Sequence, residues 1–333
     1  MANRKIDVHH HVFPPEYNAA LDRLGVKHEG GGMVFPSWSA ETDIEVMDKT
    51  GIRAAIAELS SPGVWVGDGS TASYLARLFN EYMAGLIAQY PGRFGAFAAV
   101  PLPDTKAALE EAVYALDTLK LDGIGVQGSN GDRFLGDPGF AELWQELDRR
   151  KTVVHVHPNV HSTSQGMVPG VPEFFFEFIA DTTRTVMSLL FSGTLERYPN
   201  IRWILSHAGG AVPYLAWRLA IGDQLPPLAK HVPQGVMHYL SRLYYDTTLS
   251  TSPFAMKATM ELAGPSQILF GSDHPYAPPP LIATEVALLE KLDVFDADSR
   301  QKMEEGNALE LFPRFAEPAA AAPAATVAPL LVP

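Results

Sequence analysis

The sequence contains no cysteine. Disulfides, thiolate metal sites and cysteine nucleophiles are therefore excluded, and any metal chemistry must rest on His, Asp and Glu. Long apolar runs are also missing. No stretch of about 18 apolar residues offers a membrane span, and the N-terminal MANRKIDVHHHVFPPEY lacks the apolar centre of a secretory signal. Basic residues are outnumbered, 25 against 38 acidic, for a net charge of −13. Such a surface repels phosphate backbones and argues against nucleic acid as a partner. These absences point to a soluble, cytoplasmic protein.

What is present is enough apolar residue for a sizeable core, 47% of 333 positions. Short β-rich runs alternate with helix-length amphipathic segments. The expected strands are Lys5–Val12, Ala54–Leu59, Phe94–Val100, Gly123–Gly128, Thr152–Pro158, Ile201–His207, Leu243–Thr248 and Ile268–His274. Several are almost continuously apolar, as parallel strands covered on both faces should be. Helical spacing runs through Thr71–Gln89, Thr105–Leu119 and Ala141–Arg150. Breakers such as Pro91-Gly92, Asp122-Gly123 and Gly264-Pro265 stand just before strands. Eight strand–helix units predict an α/β fold, a closed (β/α)8 barrel, over a doubly wound open sheet. The barrel is expected to occupy residues 1–315 as one domain. Residues 16–38, with Gly30-Gly31-Gly32, read as a lid insertion after the first strand, and residues 316–333 as an Ala/Pro-rich tail.

Four polar signals fall at the C-terminal ends of expected strands, the end at which barrels of this type carry their sites. In His9-His10-His11, strand alternation puts His9 and His11 on one face and His10 on the other. Neutral imidazole is the commonest nitrogen ligand, so the pair forms half a metal site. His155-Val156-His157-Pro158 supplies a third ligand in His157. His155, one layer deeper, is either a site residue or a hydrogen-bonded core histidine. Ser206-His207-Ala208-Gly209-Gly210 offers His207 for acid–base work, since three histidines and an aspartate already fill a single-metal site. Gly271-Ser272-Asp273-His274-Pro275 offers Asp273, which can bind a metal and exchange a proton. His274 should face away from Asp273, as a wall of the substrate pocket or a support for a ligand. The set predicts one divalent cation, zinc first, with manganese or cobalt also compatible.

At these residues the chain resembles the amidohydrolase superfamily. Within it, the chain is most similar to the branch of metal-dependent decarboxylases acting on aminocarboxymuconate semialdehyde, γ-resorcylate and 6-methylsalicylate. The resemblance runs from Ile6 to about Phe315 and rests on Asp7-Val8-His9-His10-His11, His157-Pro158, His207 before its Gly-rich turn, and Gly271-Ser272-Asp273. SHAGGAVPYLAWR, residues 206–218, is similar to that branch too. It implies that Arg218 reaches a substrate carboxylate from the partner subunit of a homodimer. Three departures stand out. Met33-Val34-Phe35-Pro36 lacks the early-loop arginine of the muconate enzyme, His274 stands where relatives carry Tyr or Phe, and Gly125-Val126-Gln127-Gly128 lacks the lysine of two-metal members.

The resemblance implies non-oxidative decarboxylation of a small aromatic or unsaturated carboxylate, with an ortho-hydroxybenzoate first. Asp273 would give a proton to the ring carbon, and His207 would act on the hydroxyl. Trp38 and Phe35 could stack on the ring from the lid. The same parts could activate water, so a hydrolase of a lactone, amide or ring-cleavage product, or a hydratase, is the alternative. An inert metal-binding scaffold is a third. The aromatic run Phe174-Phe175-Phe176-Glu177-Phe178-Ile179 reads either as core or as packing against a second subunit.

Overall fold

The computed structural model describes residues 4–28 and 30–316. Among them, eight parallel strands follow one another around a sheet in chain order. They are β1 Lys5–His11, β2 Ile52–Glu58, β3 Phe94–Ala99, β4 Gly123–Gln127, β5 Val153–His157, β6 Arg202–Leu205, β7 Tyr244–Asp246 and β8 Ile268–Leu269. The seam between last and first strand is closed by backbone bonds. Val8 N–H donates to Phe270 O at 3.0 Å, Asp273 N–H to His9 O at 2.9 Å and His11 N–H to His274 O at 2.7 Å. This is the (β/α)8 barrel expected from the alternation of segments.

The helices that matter below are α1 Pro15–Arg23, α2 Ala40–Thr50, α3 Gly69–Gln89, α4 Thr105–Asp117, α5 Ala141–Arg150, α6 Glu177–Phe191, α7 Val212–Ala220, α8 Pro253–Ala263 and α9 Pro279–Lys291. Their amphipathic spacing sets the inward face. In α5, Leu143, Trp144 and Leu147 are buried while the charged positions between them stay out. Capping side chains fix several starts. Asp68, Asp104 and Ser252 accept from the backbone N–H groups of Thr71, Ala107 and Ala255.

The interior is filled, not hollow. Ile6, Val8, Ile56, Phe97, Ile204 and Leu269 form one buried cluster with Leu311, Phe312 and Phe315 from the end of the described chain. That last segment plugs the N-terminal end of the barrel. Arg314 donates to Phe94 O at 3.0 Å and Arg53 to Phe315 O at 2.6 Å, both at strand starts.

After β1 the chain forms α1, with Tyr17, Ala20 and Leu21 buried, and then a loop. The Ala/Pro-rich tail lies outside the described residues apart from its first, Ala316. Among the described residues, no helix is long and apolar enough to cross a membrane.

Candidate metal centre and its cavity

A register slip makes the site possible. The pairing of β1 with β2 shifts between Asp7 and His10. Below the slip, Ile6 and Val8 pack inside the barrel. With strict alternation His10 would follow them inward, and His9 and His11 would point out. The slip reverses that parity, so His9 and His11 enter the barrel. His10 faces outward instead. Its Nδ1 lies 3.0 Å from Asp7 Oδ2, and its Nε2 lies 3.0 Å from Asp43 Oδ1 and Oδ2.

The other groups arrive from strand ends. β5 carries Val153, His155 and His157 on one face in rising order. Asp273 and His207 follow β8 and β6 with φ of 62° and 55°, in the left-handed region that a side chain seldom occupies. The turn before Asp273 needs a glycine. A Cβ on Gly271 would collide with Thr248 Oγ1 and come within 2.9 Å of His9 Cβ.

One donor atom each from His9, His11, His157 and Asp273 lies within 4.8 Å of the other three. His11 Nε2 is 3.0 Å and His9 Nε2 3.5 Å from Asp273 Oδ1. All four residues are buried. In each histidine Nδ1 faces an oxygen: Asp246 Oδ2 at 2.7 Å from His9, Glu58 O at 3.4 Å from His11 and Pro158 O at 2.8 Å from His157. The Nδ1 proton is thereby held, and each Nε2 keeps its lone pair for a shared ligand. His9 Nε2 is buried with no hydrogen-bond partner. An orphaned buried nitrogen beside two imidazoles and a carboxylate is the donor set a divalent cation requires. His207 Nε2 lies 3.8 Å from Asp273 Oδ2, next to this set without joining it.

Charge follows the geometry. Burial alone would lower the His9 pKa, but Asp246 and Asp273 outweigh it and hold it well above its ordinary value. Burial, reinforced by His11, His9 and His207, drives the His157 pKa well below. Burial would raise Asp273, yet the hydrogen bond from His11 and the nearby His207 and His9 imidazoles hold its carboxyl well below the usual range. Asp273 is therefore ionised at neutral pH and His157 neutral. A cation would replace the proton that otherwise sits on His9.

A deeper layer supports the first. Asp246 accepts from His9 Nδ1 and, through Oδ1, from the backbone N–H groups of His207 at 2.8 Å and Thr248 at 3.0 Å. His155 lies with Nδ1 2.7 Å from Glu58 Oε1 and Nε2 3.5 Å from Asp246 Oδ2, its ring stacked on Phe97 at 5.1 Å. Glu58, His155, Asp246 and His9 thus form a buried file of polar groups that links β2, β5, β7 and β1. The sequence reading passed over Asp246 and Glu58. Yet both carried the signal used for Asp273, a carboxylate at the C-terminal end of an expected strand.

Above the donors opens a cavity of about 480 Å³, with His157, His207 and Asp273 in its lining. Phe174, Phe175, Phe178 and Ile179 form one apolar wall, and Leu249, Ala277 and Leu281 add more apolar surface. The aromatic run before α6 is therefore neither plain core nor simply an outer face, the two readings its sequence allowed.

Three expectations need correction. Trp38 does not line the cavity; its indole N–H donates to Asp43 Oδ2 at 2.8 Å and its ring packs on Tyr82 and Phe94. Phe35 packs on Phe13 instead of facing a substrate ring. His274 is no substrate contact either. It pairs with His10 across the seam, and its Nε2 lies 3.3 Å from Asp43 Oδ1, because leaving β8 turns it toward α2. Arg218 is exposed on α7, as are Tyr214 and Trp217, and is absent from this chain's cavity lining.

Four buried groups able to hold a metal ion, a neighbouring imidazole and a cavity meet at the C-terminal mouth of a (β/α)8 barrel, where enzymes of this fold carry their sites. The chain belongs to the amidohydrolase family, whose sequence pattern matches residues 6–314, and to the decarboxylase branch of that superfamily. It is 38% identical over 315 residues to the 6-methylsalicylic acid decarboxylase of Penicillium expansum, covering 93% of this chain and 96% of that protein. A crystal structure of an amidohydrolase II superposes with a TM-score of 0.87 at 30% identity, covering 93% of this chain and 99% of the other. The dihydroxybenzoic acid decarboxylase of Polaromonas sp. JS666, solved with manganese and 2-nitroresorcinol, has a TM-score of 0.77 at 24% identity. It covers 93% of this chain and 97% of that one, and at this identity it speaks for the fold alone.

Proposed function

We propose that the chain is a non-oxidative decarboxylase of an ortho-hydroxybenzoate, working with one divalent cation held by His9, His11, His157 and Asp273. The observation that carries this reading is an ionised carboxylate, Asp273, shared between the donor set and a mostly apolar cavity. Zinc is the metal we favour, because three imidazoles and one carboxylate suit its four-coordinate preference. The manganese in the Polaromonas relative makes that ion the other outcome of a metal analysis. When bound by these four residues, a cation would supply positive charge that offsets the negative charge of the substrate carboxylate.

The remaining chemistry falls to the side chains. Because Asp273 is ionised, it cannot begin as an acid. It takes the proton of the ortho hydroxyl and passes it to the ring carbon that bears the carboxylate. The new C–H bond forms, the C–C bond to the carboxylate breaks, and its electron pair restores the aromatic ring as CO2 leaves. The phenolate product then regains a proton from solvent, so one proton is consumed per CO2. His207, 3.8 Å from Asp273, steadies the oxygen during the transfer.

The exposed Tyr214, Trp217 and Phe254 support a homodimer through the α7 and α8 face. That arrangement would let Arg218 serve the partner's cavity. A cytoplasmic location belongs to the same proposal, supported by the acidic net charge of −13.

The test is CO2 release from hydroxybenzoates by metal-reconstituted protein, with the reaction repeated in ¹⁸O water. CO2 with no label in the product supports the proposal. Labelled product without CO2 points to the hydrolase instead.

A further inference from the structure

The cavity exceeds what a hydroxybenzoate ring fills. Benzene occupies an apolar cavity of about 150 Å³, whereas this one measures about 480 Å³. Most of the surplus is apolar. The polar residues of the lining are Ser60, His157, His207, Asp273 and Tyr276, with no lysine, arginine, asparagine or glutamine among them.

The apolar surface begins directly beside the donors. The Phe178 ring lies 5.8 Å from that of His157 and 6.4 Å from that of His207. Ile179 and Phe174 continue the wall, with Leu249 and Leu281 also in the lining. A ring held at the donor set by its carboxylate and hydroxyl would leave the other position flanking the carboxylate free to face Phe178. A substituent there would run along this wall.

We infer that the site takes 6-alkylsalicylates whose chain extends several carbons beyond methyl. This rests on the decarboxylase reading above. A fully buried methylene contributes about 0.8 kcal/mol, a fourfold change. Affinity and kcat/KM should therefore rise up to about fourfold per added carbon until the wall is filled.

The experiment compares salicylate with its 6-methyl, 6-propyl and 6-pentyl derivatives on metal-reconstituted protein. CO2 release and calorimetric dissociation constants are both measured. Rising kcat/KM and tightening affinity along the alkyl series support the assignment. Tightening affinity with no CO2 from any compound keeps the assignment and removes decarboxylation. CO2 from 6-methylsalicylate, with turnover and binding lost at propyl and pentyl, overturns the assignment and leaves the decarboxylase standing. Binding of none of the series overturns it as well. In Ile179→Asn and Leu281→Asn the gain with chain length should disappear while bound metal is retained. A gain that survives both changes means that the chain lies elsewhere, and the assignment fails.

Discussion

Asp246 does not line the cavity, yet three groups depend on it: the His9 ring, the His207 backbone and the Thr248 backbone. An amide in its place would present a donor to His9 Nδ1 and favour the wrong tautomer. Asp246→Asn should therefore weaken metal binding about 10–100-fold, measured by competition with a fluorescent chelator. His207 is the contrasting case, since its side chain lies beside the donors without completing the set. His207→Gln should lower kcat by about 10²–10⁴ while bound metal, read by atomic emission, stays at the wild-type level. Parallel loss of metal would make His207 a ligand and refute the role given to it.

At the scale of elements, the decisive feature is how strand ends are broken. β8 counts two residues in the ladder because Gly271, Ser272 and Asp273 leave it for a turn that aims the carboxylate inward. Gly271→Ala forces a methyl group against Thr248 and His9. We expect a loss of about 1–3 kcal/mol, as for overpacked cores, seen as a lower urea midpoint together with reduced metal occupancy. The same features mark what could be read in advance. The strands were legible because parallel barrel strands are apolar on both faces, and α5 was legible to the residue from its spacing. His9, His11, His157 and Asp273 were legible as a set, because each ends a strand at the same mouth. The slip between Asp7 and His10 was not, since period-two alternation contains no mark of it. Trp38 and His274 were misread because the reading had no view of Asp43, a buried carboxylate on α2 that draws both of them away from the cavity. The wall at Phe174–Ile179 was ambiguous because aromatic residues suit a core, an interface or a pocket equally well.

For the molecule as a whole, the barrel is built as a stack, with a greasy plug below, a buried file of charges in the middle and a reactive mouth above. Charges buried this way tie stability to pH. Asp181, near the start of α6, accepts from Asn159 N–H at 2.9 Å, and burial pushes its pKa up to about 6 from the ordinary 3.8. Between these values the folded protein keeps a proton that the unfolded chain has released, so stability falls as pH rises through that window and levels off above it. A shift of this size corresponds to a difference on the order of 3 kcal/mol. Asp181→Asn should flatten the slope of unfolding free energy between pH 4 and 6. An unchanged slope in urea titrations across that range would assign the proton to another group.

The four donors sit at positions 9, 11, 157 and 273, and the first and last meet only where the barrel seam joins. A growing polypeptide therefore has no complete cage to offer until its eighth strand has been made and docked. A cation held by all four could therefore act only as a late clasp, taken up once the circle of strands has shut.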